Sequence, residues 1–447
     1  MPRAFELGGV RWWTAAGADE AAVRRAVGGA LDALAGGRAR NLKGGRRKAL
    51  YPLALEGGAE PDHLLKVSAY AGAPSVRRRL FGSKARRELR LAQAIARRGV
   101  ATPVPLAAGE RRAGGRVRAC YLLVALVPGA RDLRRLAAEP ALRGAERRAL
   151  ARAFGAFARR LHDAGVVQDD FQPNNFLRRA DGDLLFIDCE RVRLRPRVSR
   201  HARAAMLAKL ERELAGARLA ERARFLRAYA RGDRAEARRW WRAVERAARE
   251  LAARDAGRLA RLVARPGRRF VPLEVHGWRG VRVAGADADA LAQDLDVLIG
   301  AREGARRHFA RGFQPRGAAD ASRALARALL LARRGLGPDP VAVLERRRAG
   351  AHAREALLVF DGPLRGRLDA LDAAARCAAL PALTRFLARV AAYGSLAGLP
   401  SPHDVGRLAR GLALLDPHGF RPGGAGGLPD RRTARALAAR ILGVPDA

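Results

Sequence analysis

The sequence predicts an α+β fold in two lobes, followed by a second, smaller domain. Three observations carry this. Strand-like runs separated by turn signals dominate residues 1–128, with helix-length stretches at 17–34 and 83–98 among them. Long helical patterns take over from 139, broken by one strand–loop–strand stretch at 166–193. After about residue 265 the chain echoes its own opening in worn form.

The 447 residues have room for two or three domains, and with 49% hydrophobic residues they can build a sizeable core. Cys120, Cys189 and Cys377 lie far apart with no C-x-x-C, which argues against a zinc site or a disulfide framework and fits a reducing compartment. Met1 to Leu7 has no apolar signal region, and no run approaches the roughly 18 apolar residues of a membrane span. Neither standard secretion nor a spanning segment is expected.

The net charge is +43, a field that attracts nucleic acid, anionic lipid surfaces or phosphorylated substrates. Only five of the 87 basic residues are lysine, and the arginines are scattered among Ala, Gly and Leu. That pattern also fits simple compositional bias. No basic stretch carries interleaved aromatics and no zinc-finger spacing occurs, so nucleic acid is disfavoured and an anionic membrane surface is the better partner.

In order, GGVRWWTAAG reads as a strand, with Trp12 and Trp13 as packing residues. Asp19 caps a helix that runs to Leu34. NLKGGRRKALYPLALE reads as a hairpin whose turn is Gly44-Gly45. Glycines let backbone amides approach phosphates, although a solvated hairpin has the same pattern. HLLKVS is a strand carrying Lys66; in a chain that almost always uses arginine, this lysine asks for a compact ammonium. Ser83 caps, and Gly99 stops, a helix whose one acid is Glu88. Residues 100–128 are two strands ending at Pro128-Gly129, a hinge signal. The helix over 139–163 places His162 at its C-terminal end.

The stretch VVQDDFQPNNFLRRADGDLLFIDCERVR carries the chemistry. Apolar runs bracket Asp170, Asn175 and Asp188, and Asp181-Gly182 turns the chain between the last two strands. Two carboxylates and an amide thus reach one mouth, as phosphoryl transfer requires: one carboxylate orients the attacking hydroxyl, while Asn and Asp hold Mg²⁺ on ATP. A polar loop between core strands is the plain alternative. Lys66 is the candidate for the α/β phosphates, and Glu88 is its natural partner.

The D-x4-N, hairpin, I-D-x-E pattern resembles the catalytic segment of protein-kinase-like enzymes. Within that superfamily, LKGGRRKALYPLAL, HLLKVSAY, SKARREL, LHDAGVVQDDFQPNNFL and LLFIDCERVRL are most similar to the lipopolysaccharide core kinase family (Kdo/WaaP type), over most of residues 40–247. The resemblance implies a five-stranded N-lobe, a helical C-lobe, and ATP with Mg²⁺. By position it implies Asp170 as base, Asn175 and Asp188 as metal ligands, and Lys66, Glu88, Gly44 and Gly45 at the nucleotide. It further implies a saccharide acceptor, Kdo or heptose on a lipid-linked core, at the cytoplasmic face of a Gram-negative inner membrane. A protein or aminoglycoside-type kinase and a silent kinase-shaped scaffold are the alternatives. Two departures stand out: Gln168-Asp169 where His-Arg usually precedes the base, and Cys189-Glu190 after the metal aspartate. The first removes the arginine that reads a phosphorylated activation loop, and it sets two like charges side by side.

The expected division is a kinase-like domain over 1–262 (N-lobe about 1–128, C-lobe about 129–262) and a degenerate kinase-like repeat or accessory helical domain over 263–447. VRVAGADADAL echoes RWWTAAGADEAAV, SRALARALLLARRGLGPDP echoes the Glu88 helix, and LALLDPHGF echoes LLFIDCERV. In this reading nothing matches the lysine strand, His403 or Asp404 falls near the base, Leu408 stands where Asn belongs, and only Asp416 survives.

Overall fold

The computed structural model describes residues 3–42, 48–55, 60–70, 82–139, 142, 144–214, 217, 219–265, 267–301, 308–315, 319–347, 354–362, 364, 366–396, 401–408, 411–417, 420–423 and 431–445. By its internal contacts the chain divides into Met1–Trp241 and Arg242–Ala447. This division and the sequence-based one at 262 fall in the same helix, Arg234–Val263.

The first lobe of the first unit contains β1 (Ala4–Leu7), β2 (Val10–Thr14), α1 (Glu20–Ala35), β3 (Lys48–Leu53), β4 (His63–Ala69), α2 (Lys84–Ala96), β5 (Pro105–Ala113) and β6 (Arg116–Ala125). Its antiparallel sheet has the order β1-β2-β5-β6-β4-β3. That is six strands where the resemblance implied five. The opening hairpin joins because Trp12 is wholly buried and lies directly across from Gly109, the only side chain size that leaves room for its ring. Helix α1 begins at Asp19, whose carboxylate accepts from the Ala21 amide, and packs Val23 and Val27 against Phe5, Trp12, Leu65 and Leu123. Helix α2 begins at Ser83 and lays Ala85 and Leu89 on the opposite face, against Leu122 and Val124. The period-2 alternation of β4 thus sends Leu65 to α1 and turns Lys66 toward the α2 side.

The second lobe runs through β7 (Arg131–Asp132), α3 (Leu133–Ala138), α4 (Gly144–Asp163), β8 (Val166–Gln168), β9 (Phe176–Arg178), β10 (Leu184–Phe186), β11 (Val192–Leu194), α5 (Arg200–Glu213), α6 (Leu219–Tyr229) and the first turns of α7 (Arg234–Val263), the helix in which the division falls. Strand β8 pairs with β11, and β9 with β10. The anchor is aromatic: Phe176 sits within ring contact of Phe154, Phe157, Phe171 and Phe186. Gly165, at φ +78°, turns the chain from α4 into β8, and a Cβ there would run into the Arg195 carbonyl.

The second unit is mixed sheet and helix rather than purely helical. It contains β12 (Phe270–Val275), β13 (Trp278–Val283), α8 (Ala288–Ala301), β14 (His308–Phe313), α9 (Asp320–Arg333), β15 (Asp339–Arg347) and β16 (Arg354–Asp361). Then come α10 (Ala373–Ala391), β17 (Gly394–Leu396), β18 (Val405–Leu408), β19 (Gly411–Leu414), β20 (Phe420–Pro422) and α11 (Arg431–Leu442). Its sheet order, β12-β13-β15-β16-β14, is that of the first unit without β3.

A strand therefore does match the lysine strand. β14 pairs with β16 as β4 pairs with β6: His308 opposes the last residue of β16 as His63 opposes that of β6, which puts Arg311 in the register of Lys66. The sequence hid it because only the histidine and a basic residue three positions later are shared.

Candidate active site

Each group of the site comes from a different element. Lys66 on β4 reaches across to α2, where its Nζ donates to Glu88 Oε1 at 2.7 Å. The pair is partly buried, with side chains 27% and 12% exposed. Burial works against the lysine's charge, but Glu88, and then Asp188, outweigh it, and the Lys66 pKa is raised. The ammonium stays charged and faces two carboxylates, an arrangement suited to receiving phosphate oxygens.

Asp170 and Asn175 flank a short turn that a 3-10 helix at Pro173–Asn175 closes. Asn175 is buried, and its side-chain Nδ2 donates to the Asp170 carbonyl at 2.7 Å. The amide nitrogen is thereby committed and the side-chain oxygen is left for a cation. The Asn175 carbonyl accepts from the Ile187 amide at 2.9 Å, which brings the residue before Asp188 up against the turn. Asp188 itself has φ 60° and ψ 60°, a left-handed conformation that a non-glycine residue holds only when its surroundings enforce it.

Gln168 holds the two halves together. Its buried side chain donates from Nε2 to the Asp188 carbonyl at 3.0 Å. Its departure from the usual histidine therefore keeps a donor at this position. Asp169, in place of the usual arginine, points outward to Arg193 at 2.6 Å, and Lys209 Nζ donates to its carbonyl at 2.8 Å. Cys189 is no nucleophile, since burial pushes its thiol up to about 12. His162 is more than a helix-end residue: it is fully buried under Phe171 and bonded through Nδ1 to the Tyr229 hydroxyl at 2.7 Å.

The sequence singled out Lys66, Glu88, Asp170, Asn175 and Asp188, and the fold links them pairwise: Lys66 with Glu88 and Asp188, Asn175 with Asp170 and with the residue before Asp188. Gly44 and Gly45 lie outside the described residues. Sequence reasoning missed Glu190, which holds Lys48 at 3.3 Å and Lys84 at 2.7 Å. The signal was present in the scarcity of lysine, since every described lysine touches this apparatus. Among the described residues no group of three or more His, Cys, Asp or Glu side chains could cage a metal. Asn175 with Asp188 instead suits Mg²⁺, which takes one or two protein oxygens and completes its shell with phosphates and water.

Residues 74–229 match the family model described as lipopolysaccharide kinase (Kdo/WaaP). The match holds Glu88, Asp170, Asn175 and Asp188; Lys66 precedes it. No curated protein matches the chain. Similar solved structures include one titled "WaaP in complex with acyl carrier protein", 22% identical, covering 49% of this chain and 91% of that one, with a TM-score of 0.36. The ROP18 kinase domain with AMP-PNP and sucrose is 16% identical, covers 47% of this chain and 81% of that one, and has a TM-score of 0.32. The bifunctional kinase-methyltransferase WbdD is 18% identical, covers 36% of this chain and 34% of that one, and has a TM-score of 0.27. The stretch from 74 to 229 is thus a domain of the lipopolysaccharide kinase (Kdo/WaaP) family, a kinase phosphotransferase.

Proposed function

We propose that the protein phosphorylates a sugar hydroxyl, on Kdo or heptose of a lipopolysaccharide core or a similar glycolipid, with ATP as donor. The observation that carries this is the meeting of Lys66–Glu88, Asp170, Asn175 and Asp188 in a chain whose residues 74–229 match the lipopolysaccharide kinase (Kdo/WaaP) family model. Lys66, kept charged by Glu88 and Asp188, holds the α/β phosphates. Asn175 and Asp188 would hold Mg²⁺, and that ion would supply positive charge against the phosphate oxygens. Asp170 accepts the proton of the attacking hydroxyl as its oxygen bonds to the γ-phosphorus and the bond to ADP breaks. Phosphoryl transfer of this kind draws most of its rate from placing the attacking and leaving oxygens in line.

The +43 charge, with no helix long and apolar enough to cross a membrane among the described residues, supports reversible attachment to the anionic inner-membrane face where such an acceptor lies. ATP turnover against a panel of lipopolysaccharide cores from a strain lacking this protein tests the reading. Phosphate appearing on the core sugar supports it; turnover only with protein or aminoglycoside acceptors sinks the acceptor class; no turnover with any acceptor leaves the scaffold reading standing.

We infer further that the second unit is a degenerate copy of the first. Arg311 and Asp404 form an ion pair at 2.5 Å on the face where the first unit keeps Lys66 open to phosphate. Phe309 and Phe360 stack there at 5.1 Å, packed with Leu408 and Leu415, and fill the same face. The unit therefore binds no nucleotide.

A further inference from the structure

Five lysines stand among 87 basic residues, and the four that are described all touch the catalytic apparatus. Lys66 reaches Glu88, and Lys209 reaches the Asp169 carbonyl. The other two meet on one carboxylate: Lys84 lies 2.7 Å from Glu190 Oε1, and Lys48 lies 3.3 Å from Oε2. The Glu190 side chain is only 14% exposed, against 64% for Lys48 and 42% for Lys84. The carboxylate is thus the inner member of the cluster, held from both sides.

The three residues sit at the starts of three functional elements. Lys48 opens β3, directly after the Gly44-Gly45 segment. Lys84 opens α2, one turn before Glu88. Glu190 lies two residues after Asp188. One side chain therefore ties the start of β3, the helix that carries Glu88, and the turn that carries Asp188. A lone exposed ion pair contributes little. This cluster differs because neutralising Glu190 leaves two ammonium groups facing one another at the joint. Lysine suits the geometry: two compact point charges converge on one carboxylate where two planar guanidinium forks would crowd.

Kinases switched by phosphorylation use the added phosphate to bring the lysine–glutamate pair and the metal aspartate into line. Here Asp169 occupies the place of the arginine that would read such a phosphate, and Arg193 already neutralises it. We propose that Glu190 is a positioning residue: by gripping Lys48 and Lys84 it holds α2 and β3 on the Asp188 turn, so that the site is aligned without phosphorylation. This rests on the kinase reading of Asp170, Asn175 and Asp188.

The test uses the full chain, treated with phosphatase and checked by mass, with Mg-ATP and de-O-acylated lipopolysaccharide core. Phosphate-free wild type transfers at full rate. Glu190→Gln and Lys84→Met each lower kcat about tenfold while KM for ATP stays within about threefold, as expected for misplacement of the reacting groups. The double variant is no worse than either single one, because both break the same joint, and Glu190→Asp recovers part of the rate. Losses that multiply in the double variant, or a wild type that needs added phosphate, overturn the proposal. A wild type with no transfer at all sinks the kinase reading and this inference with it; an active wild type matched by Glu190→Gln sinks the inference alone.

Discussion

The two units share a scaffold and differ in what fills it. Both sheets run in one strand order, and both break register after a proline, between Pro105 and Ala107 and between Pro340 and Ala342. The hydrogen bonds that shape the catalytic turn recur. Ile187 N donates to Asn175 O in the first unit and Leu415 N to Asp404 O in the second; Arg195 N donates to Gly165 O as Gly423 N does to Tyr393 O. Even a packing complement is preserved in inverted form: Trp12 lies across from Gly109, and at the matching rung Gly280 lies across from Leu344. What differs is the chemistry. Lys66 becomes Arg311, Glu88 becomes Ala324, and Asn175 becomes Asp404. By its hydrogen bond from the Leu415 amide, Asp404 matches Asn175 rather than Asp170, which on the proposed reading is the metal-ligand place and not the base's. Counting back from it gives Leu399, and counting on from Gly394 gives Gly398; neither carries a carboxylate. With Glu88 gone, the basic residue of β14 turns to Asp404 instead. On the proposed reading of the second unit as a degenerate copy, scaffold and catalysis are separable demands on a sequence, and this unit keeps the first.

The largest expected effects fall on the metal and base carboxylates. Asp188→Ala abolishes Mg²⁺-dependent nucleotide binding, and Asp170→Ala keeps it while transfer falls by about 10²–10⁴. Asp416→Ala, at the matching place, changes neither. Calorimetric titration with a non-hydrolysable ATP analogue reads the difference as one site per chain. A second site that persists in Asp188→Ala breaks the contrast between the units.

Next come the paired basic residues. Lys66→Met lowers transfer by about 10²-fold, because the phosphates lose an ammonium aligned to receive them. Arg311→Met leaves transfer and nucleotide stoichiometry unchanged and costs on the order of 1 kcal/mol of stability, since Asp404 keeps the Ser401 amide and hydroxyl as donors. Nucleotide loss in Arg311→Met would mean that the second cleft is in use.

The effect furthest from the chemistry is in pH. His162 is buried with its pKa lowered to about 3; burial is the main cause, and the cations of Arg203 and Arg159 outweigh the nearby Asp163. An unfolded histidine titrates near 6.5, so between pH 6.5 and about 3 the unfolded chain binds the extra proton. The contribution is complete above pH 6.5 and is lost as pH falls, at up to about 1.4 kcal/mol per pH unit. The second unit carries the apolar Val390 at this place. Denaturant melts across pH should show His162→Val removing that share of the acid sensitivity; an unchanged slope would mean that His162 is protonated in the folded chain.

Much of the site was legible because its residue types are chemically narrow. A lysine in an arginine-rich chain, the one acid of a helix, and carboxylates after apolar runs each point to a job before any fold is known. Gln168 was not legible: its departure from histidine reads as a loss until its side chain is seen donating to the Asp188 carbonyl. Glu190 was hidden for a like reason, since its partners lie 142 and 106 positions away in the chain.

The sequence by itself determined the two-lobed α+β order, the Lys66–Glu88 pairing, and the gathering of Asp170, Asn175 and Asp188. Periodicity, caps and turn residues are local, and local patterns survive in one dimension. Only the tertiary structure decided that the opening hairpin joins the sheet, that β14 is the lysine strand's counterpart, and that Arg311 has turned to Asp404. Those facts depend on strand register, and register is set by packing across the sheet between residues far apart in the chain.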